Sequence, residues 1–248
     1  MIPLKSKEDL RMMRQAGKIL ARIARELFEF TKAGVSTEEI NRLAERLFKK
    51  NNVQSAFKDY KGFPANICTS INEEIVHGIP GDRKLKEGDI IGLDMGINYK
   101  GYFSDAAITL GIGKISPQAQ KLLEVTKSSL SEGIKQAKAG NRLYDISSAI
   151  QTMVEKNGFS IVREFVGHGI GAKLHEEPEI PNFGNPGQGP VLANGMVLAI
   201  EPMVNVGIWQ SRILDNNWTA VTKDGLLSAH FEHTVAITEN GPEILTNV

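Results

Sequence analysis

Apolar residues near the N-terminus recur every three or four positions in two stretches, each opened by a serine. Ser6 begins SKED, a capping-box pattern that predicts a helix ending before Ala33–Gly34. A second capping box, Ser36 with Glu39, opens EEINRLAERLFKKNN. The apolar positions are Leu10, Met13, Leu20, Ile23 and Leu27 in the first stretch and Ile40, Leu43, Leu47 and Phe48 in the second. The chain is therefore expected to begin with a pair of amphipathic helices.

A comparable pair of helices is predicted later in the chain. Ser116 followed by Pro117 is a favourable helix start, and this helix is expected to end near Ala139–Gly140. DISSAIQTMVEKNG then predicts another helix that stops at Gly158.

The two helix pairs align without gaps at a shift of 106 residues, which places Ile40 on Ile146. A histidine follows each pair, as VHGI at His77 and GHGI at His168. EGDIIGLDMG then matches NGMVLAIEPM, and FSDAAIT matches FEHTVAIT. Four matches in the same order predict an internal duplication. Each half supplies two helices and then strands, and the halves are expected to share one sheet.

The strand at residues 90–97 separates apolar from polar positions by alternation. Asp94 lies between Gly92 and Gly96 on one face, in a stretch that otherwise reads as buried. Asp105 lies in a second apolar stretch after the predicted hairpin turn NYKG. An even loop centred between Tyr99 and Lys100 would place the two aspartates directly opposite each other, and an odd loop would offset them by one residue.

The duplication adds two more carboxylates, because Glu201 aligns with Asp94 and Glu232 lies near the counterpart of Asp105. A buried carboxylate costs several kcal/mol unless a partner compensates for it. A shared proton cannot relieve four converging carboxylates, whereas two divalent cations with one or two histidines can. His230 shares a strand face with Glu232 and His233 points the other way, and neither is assigned as a ligand.

Composition excludes several other classes of protein. The 248 residues carry no formal net charge and one cysteine, Cys68, so an intramolecular disulfide is impossible and a reducing cytoplasm is expected. The longest apolar run is interrupted by Glu201, and no run approaches the ~20 residues that span a bilayer. GxSxG, GxxxxGK[ST] and HExxH motifs are absent from the sequence.

The ordered motifs resemble those of the type I methionine aminopeptidases over essentially the whole chain. They are LDMG, FSDAA, GHGIG, HEEP, AIEPM and FEHT. The resemblance implies the pita-bread fold, a pseudo-twofold α/β arrangement of duplicated helix pairs and antiparallel strands. We expect one catalytic domain over residues 1–248, with repeat halves of approximately 1–112 and 113–248.

The resemblance also implies a set of metal ligands. Asp94 would bind one ion, His168 and Glu201 the other, and Asp105 and Glu232 both. The ions are cobalt, manganese, iron or zinc, and the ligand types discriminate poorly among them. Two ions ~3.5–4 Å apart hold a bridging water and lower its pKa, so that a hydroxide attacks the first carbonyl of the substrate.

The resemblance also implies catalytic and substrate-binding residues in this chain. Glu201 is the candidate for moving the proton of the water, His175 stabilises the oxyanion or steers the amide, and His77 lies near the nitrogen of the second residue. The methionine pocket is expected near Tyr60, Phe63, Cys68 and Trp218, together with the two histidines. The backbone oxygens of Asn72 and Ser228 resemble a monovalent cation site.

The implied activity is removal of the N-terminal methionine from peptides and nascent chains with a small second residue. We expect a monomer, with the ribosome exit region as a candidate partner and neither a membrane nor other nucleic acid. Two rival functions are a proline-specific or creatine-cleaving pita-bread peptidase and a non-catalytic pita-bread binding protein. The first usually carries an extra N-terminal domain and the second has lost metal ligands, whereas all five ligands are present here.

Overall fold

The computed structural model of the chain describes residues 2–247. Within that range the chain forms four α-helices and fifteen strands. The helices are α1 (Lys7–Phe30), α2 (Thr37–Lys50), α3 (Pro117–Gln136) and α4 (Leu143–Lys156). The strands are β1 (Gln54–Ser55), β2 (Cys68–Ile71), β3 (Glu74–Val76), β4 (Ile90–Tyr99), β5 (Tyr102–Gly111), β6 (Ser160–Ile161), β7 (Gly167–Gly169), β8 (Glu176–Ile180), β9 (Val197–Ile200), β10 (Met203–Asn205), β11 (Ser211–Ile213), β12 (Ala220–Thr222), β13 (Ser228–His230), β14 (Glu232–Thr238) and β15 (Gly241–Ile244).

Serine caps start three of the helices where the sequence predicts them. The side chains of Ser6 and Ser36 each accept a hydrogen bond from the backbone three residues later, and Ser116 does the same for α3. The helix α3 ends at Gln136, before the predicted end near Ala139–Gly140. The Asn141 side chain donates a hydrogen bond of 2.9 Å to the Gln136 carbonyl, which satisfies a free acceptor at this end.

Antiparallel pairing joins nine strands into the main curved sheet, in the order β1-β4-β5-β14-β9-β7-β8, with β15 on β14 and β2 on β4. The centre of the order is symmetric, because β4 and β5 come from the predicted half 1–112 and β14 and β9 from the half 113–248. This arrangement is the pita-bread fold that the sequence predicts. The residue at which the halves divide, and the treatment of the chain as one catalytic domain, stay predictions.

The two helix pairs are tied to the rest of the chain by equivalent hydrogen bonds. The backbone N–H of Gly34 donates to the carbonyl of Leu85 over 2.8 Å, and Gly140 donates to Leu192 over 2.9 Å. Both glycines have φ near +90°, a conformation that glycine adopts at little cost. The matching contacts support the duplication that the sequence predicts.

The hairpin register differs from the predicted one. Lys100 and Gly101 form the two-residue turn, with φ of 53° and 87°, so Tyr99 pairs with Tyr102. Two successive residues with positive φ match the right-handed twist of the flanking strands. Asp94 is therefore opposite Ala107, and the prediction that it faces Asp105 directly is wrong. The shift is two residues, so both aspartates still share one face of the sheet as diagonal neighbours.

Each helix pair buries its apolar side against the strands of its own half. One cluster joins α1 and α2 to β4, through residues such as Leu20, Ile40 and Ile91. The other joins α3 and α4 to β9 and β14, through residues such as Ile150 and Leu198. The opposite face of the sheet is thereby left for polar groups. None of the helices within residues 2–247 is long and apolar enough to cross a membrane.

Two small three-stranded sheets accompany the main sheet. One is β13-β10-β6 and the other is β11-β12-β3. The strands β11 and β12 lie in the second half, in the segment between β10 and β13. β11 pairs with β12, and β12 pairs with β3 of the first half. This segment, which includes Trp218, therefore contacts the other half of the chain.

Candidate metal centre and substrate cavity

Four carboxylates from neighbouring strands meet on the face of the sheet away from the helices. Asp94 lies on β4, Asp105 on β5 and Glu232 at the start of β14, where it pairs with Ala107. Glu201 directly follows β9. Asp105 and Glu232 are buried, Asp94 and Glu201 are partly buried, and all four line one cavity. The structure therefore brings together all four acidic residues that the sequence singled out.

His168 approaches the carboxylates from the second half of the chain. Ligand atoms of His168, Asp105 and Glu232 all lie within 4.8 Å of one another. Its Nε2 is 3.6 Å from Oε1 of Glu201, and its Nδ1 is 2.9 Å from the carbonyl oxygen of Gly169. If Nδ1 donates to that carbonyl, Nε2 is left with a free lone pair, as in histidines that bind metals.

The carboxylates repel one another in a site that is largely buried. Burial raises the pKa of Asp105 to about 7. Burial and then the charge of neighbouring carboxylates raise the pKa of Asp94, Glu201 and Glu232 well above the ordinary range. Burial likewise lowers the pKa of His168 to about 3, so its imidazole is neutral. Four such carboxyl groups cannot all be ionised unless cations lie between them.

Unpaired oxygen atoms provide an independent test of whether these residues fit a metal. Oδ1 of Asp94 and Oε1 of Glu232 are buried and have no hydrogen-bond partner among residues 2–247. Each such orphaned acceptor costs about 1–3 kcal/mol or more. Carboxylate oxygen and imidazole nitrogen are ligands that suit divalent transition metals. The donor set therefore fits a divalent metal centre.

A cavity of about 220 Å³ opens beside the carboxylates. Its other lining residues are Phe57, Tyr60, Lys61, Phe63, Cys68, His77, Leu174, His175 and Trp218. The rings of Phe63 and Trp218 meet edge to face at 5.1 Å. Burial raises the pKa of the Cys68 thiol well above its ordinary value, so the thiol stays protonated and apolar in character. The cavity thus has apolar side chains on one part of its lining and the carboxylate cluster on another.

The histidines His175 and His77 both line this cavity and have different neighbours. Nδ1 of His175 is 2.7 Å from the hydroxyl of Tyr60, and its ring centroid is 4.2 Å from that of His168. The ring of His77 packs edge to face against Phe165 at 5.6 Å. Burial lowers the pKa of His77 to about 4 and also lowers the pKa of His175. Both imidazoles are therefore expected to be neutral near pH 7.

Asn72 and Ser228, the predicted monovalent cation site, lie side by side. The backbone N–H of Ser228 donates to the Asn72 carbonyl over 2.9 Å. Asn72 has φ of 56°, and its side chain donates to Asp89 and accepts from the backbone of Ile90. The two residues are therefore brought together on a rigid turn, and cation binding by them stays a prediction.

Several residues near the site escaped the sequence-based assignment. Phe57 lines the cavity, Phe165 packs on His77, and His230 is buried with its Nε2 3.6 Å from Oε2 of Glu201. Strand alternation already places His230 on the face of Glu232, but its approach to Glu201 depends on the pairing of β13 with β10. His233 points away from the cluster and pairs with Thr246, with 3.0 Å between Nδ1 and the hydroxyl.

Comparison with known proteins agrees with this geometry. Residues 11–239 match the sequence model of metallopeptidase family M24. The chain belongs to metallopeptidase family M24. It is 54% identical over 248 residues to methionine aminopeptidase 1 of Bacillus subtilis, with 100% of each chain covered. It is 53% identical over 246 residues to the methionine aminopeptidase of Clostridium perfringens, with 99% of each chain covered.

The fold of this M24 chain also matches a solved structure over its full length. The crystal structure of methionine aminopeptidase from Thermotoga maritima superimposes with a TM-score of 0.98 at 46% sequence identity, and 100% of each chain is covered. The resemblance to bacterial methionine aminopeptidases and the pita-bread fold are thereby confirmed.

Proposed function

We propose that this chain is a metal-dependent aminopeptidase that removes N-terminal methionine from peptides and nascent chains and prefers a small second residue. The observation that carries the proposal is the cluster of Asp94, Asp105, Glu201 and Glu232 at the base of a small apolar cavity. Full-length identity of 53–54% to proteins named methionine aminopeptidase supports the same activity.

The four carboxylates and His168 can be assigned as ligands for two divalent ions. Asp94 would hold one ion, His168 and Glu201 would hold the other, and Asp105 and Glu232 would hold both. The 3.6 Å between His168 Nε2 and Glu201 Oε1 supports their sharing an ion, because donors lie ~2.0–2.2 Å from a metal such as zinc. Cobalt, manganese, iron and zinc all suit this donor set.

When bound, a pair of divalent ions supplies a Lewis acid for the substrate carbonyl and a water that is acidic enough to attack near pH 7. Glu201 would accept the proton of that water, because its carboxylate lies beside His168 in the cluster that lines the cavity. His175, held by the Tyr60 hydroxyl, donates to the developing oxyanion or to the scissile amide. His77, whose ring lies beside Trp218, contacts the nitrogen of the second residue.

The substrate methionine occupies the apolar part of the cavity. Phe63, Trp218 and the protonated thiol of Cys68 form a wall of soft, polarizable groups that suits a thioether. Tyr60 closes the wall on the side of His175. The small volume of the cavity, about 220 Å³, supports the binding of a single side chain there.

We further propose that the enzyme acts as a monomer in the cytoplasm on chains that emerge from the ribosome. The single cysteine is buried and unmodified by any disulfide, which suits a reducing compartment. A monovalent cation between Asn72 and Ser228 would stabilise the turn between β2 and β3.

Release of methionine from Met-Ala-Ser and Met-Lys-Ser, with and without a chelator, tests the proposed function. We expect rapid release from the alanine peptide, much slower release from the lysine peptide and loss of both with the chelator. Added divalent metal should restore activity. Chelator-insensitive release, or equal use of peptides with lysine and proline as second residue, would contradict the proposal.

A further inference from the structure

His230 is a buried histidine whose ring carries an unpaired nitrogen. It ends β13, opposite Met203 of β10. The Thr109 hydroxyl holds its backbone at both ends, accepting from the His230 N–H over 2.9 Å and donating to the His230 carbonyl over 2.8 Å. Nε2 is buried and has no hydrogen-bond partner in the described part of the chain. The hydrogen bonds to Thr109 thus fix the backbone of His230, while its Nε2 is left buried without a hydrogen-bond partner in the described part of the chain.

The carboxylate of Glu201 lies close to this nitrogen. Nε2 of His230 lies 3.6 Å from Oε2 of Glu201, and Nε2 of His168 lies 3.6 Å from Oε1. The carboxylate is therefore bracketed by two imidazoles, one at each oxygen. His168 has its Nδ1 at the Gly169 carbonyl, which leaves its Nε2 for a metal. Among residues 2–247, Nδ1 of His230 has no such contact with a carbonyl, so the ring proton is free to lie on Nε2.

We propose that His230 is a positioning residue that donates a hydrogen bond from Nε2 to Oε2 of Glu201 and so keeps Oε1 directed at the metal and His168. This inference rests on the proposed function, which assigns Glu201 as a ligand and base. A small rotation of the carboxylate brings the 3.6 Å separation to the ~2.9 Å of an ordinary hydrogen bond. Hydrogen bonds of this kind, one step outside the metal ligands, orient the ligand and typically contribute 10–100-fold in metal affinity or activity.

His233 offers a matched control three residues along the chain. It lies on β14, points away from the carboxylates and has its own partner, Thr246. Replacing His233 therefore reports the cost of losing a largely buried histidine from this region, without touching Glu201. The test uses His230→Leu and His230→Gln beside His233→Leu and His233→Gln, each in the full chain.

Zinc binding by calorimetry and methionine release from Met-Ala-Ser are measured for all four variants. His230→Leu is expected to weaken the binding of one zinc ion about 10–100-fold and to lower kcat by a similar factor. KM should change less than about twofold, because His230 does not touch the peptide. His230→Gln keeps an N–H donor and should recover most of both losses, whereas both His233 variants should retain wild-type zinc affinity and kcat.

Nitrogen NMR of the zinc-loaded wild-type chain, labelled with ¹⁵N-histidine, supplies a readout that needs no variant to fold. The His230 resonances should show a neutral ring with the proton on Nε2. A wild-type chain that neither binds zinc nor releases methionine would overturn the proposed function itself. If the wild type does both, two results would overturn the inference on His230. One is that His230→Leu has the same zinc affinity and kcat as His233→Leu. The other is that the NMR spectrum shows no proton on Nε2 of His230.

Discussion

His77 and His168 occupy equivalent places in the two halves of the chain but have different surroundings. His77 follows β3 with φ of 59°, and its ring packs against aromatic side chains of the cavity wall. His168 lies within β7, paired to β8 and β9, and its Nε2 faces Glu201. The backbone conformation decides the direction of each ring. The duplication therefore preserved the place of the histidine in the chain and not its contacts.

The carboxylates show the opposite outcome, because both halves contribute acids to the same site. Asp94 and Asp105 come from β4 and β5, and Glu201 and Glu232 come from the ends of β9 and β14. The β5–β14 ladder brings the two sets together along the symmetry of the sheet. A cation pair would need both sets, since neither half alone supplies enough negative charge.

Neutralising one acid from each half should break the site to the same degree. Asp105→Asn and Glu232→Gln should each lower kcat about 10³-fold or more and release metal, because the ions supply several kcal/mol of transition-state stabilisation. Metal content and kcat on Met-Ala-Ser check this. Glu132→Gln, on the surface of α3, is the control and should behave as wild type. Retained metal and turnover in either site variant would contradict the shared-site interpretation.

Alanine at each equivalent histidine should separate their roles. His168→Ala should lose bound metal together with activity. His77→Ala should keep wild-type metal content and lose about 10²-fold in turnover, the usual contribution of a well-placed acid–base or hydrogen-bonding group. Metal analysis and steady-state kinetics on the same preparations provide the measurement. Loss of metal from both variants would show that the two histidines still share one role.

Removing the metal should make the stability of the chain depend on pH. Burial raises the pKa of Asp105 to about 7, whereas an unfolded aspartate titrates near 3.8. The metal-free fold therefore favours the protonated acid and loses stability as pH rises from about 4 through 7. The Tm of chelated protein should fall by about 5 °C or more over this range. Zinc should abolish the fall and Asp105→Asn should reduce it, and a Tm that rises with pH in chelator would contradict the prediction.

The smallest expected effect concerns the N-terminal caps of the helices α2 and α4. Ser36 caps α2 with a full capping box, while the equivalent Arg142 before α4 has no side-chain acceptor, although Asp145 accepts from its backbone. Ser36→Arg should cost about 1 kcal/mol, a fall in Tm of about 2–4 °C. Arg142→Ser should gain less, because it also removes the hydrogen bond from Arg142 to the Gly189 carbonyl. Thermal unfolding that shows no loss in Ser36→Arg would argue against a cap contribution.

Local chemistry explains why much of the fold could be predicted. Helix starts depend on a serine and the three residues after it, and these predictions agree with the caps at Ser6, Ser36 and Ser116. The alternation along β4 depends on neighbours two residues apart and placed Asp94 on the correct face. The duplication is likewise visible in the sequence because each copy retained its turn and helix signals.

The tertiary structure decided what local patterns leave open. The two-residue turn at Lys100–Gly101 pairs Asp94 with Ala107, whereas the sequence-based prediction pairs it with Asp105. The reason is that turn conformation and strand twist together select the register. The approach of His230 to Glu201 and of Phe165 to His77 depends on pairings between segments far apart in sequence. Alternation tells which face a side chain takes, but only long-range packing determines which groups meet there. The sequence by itself therefore determined which residue types the site contains and in what order they occur. The distances between them were decided by the sheet that joins the two halves of the chain.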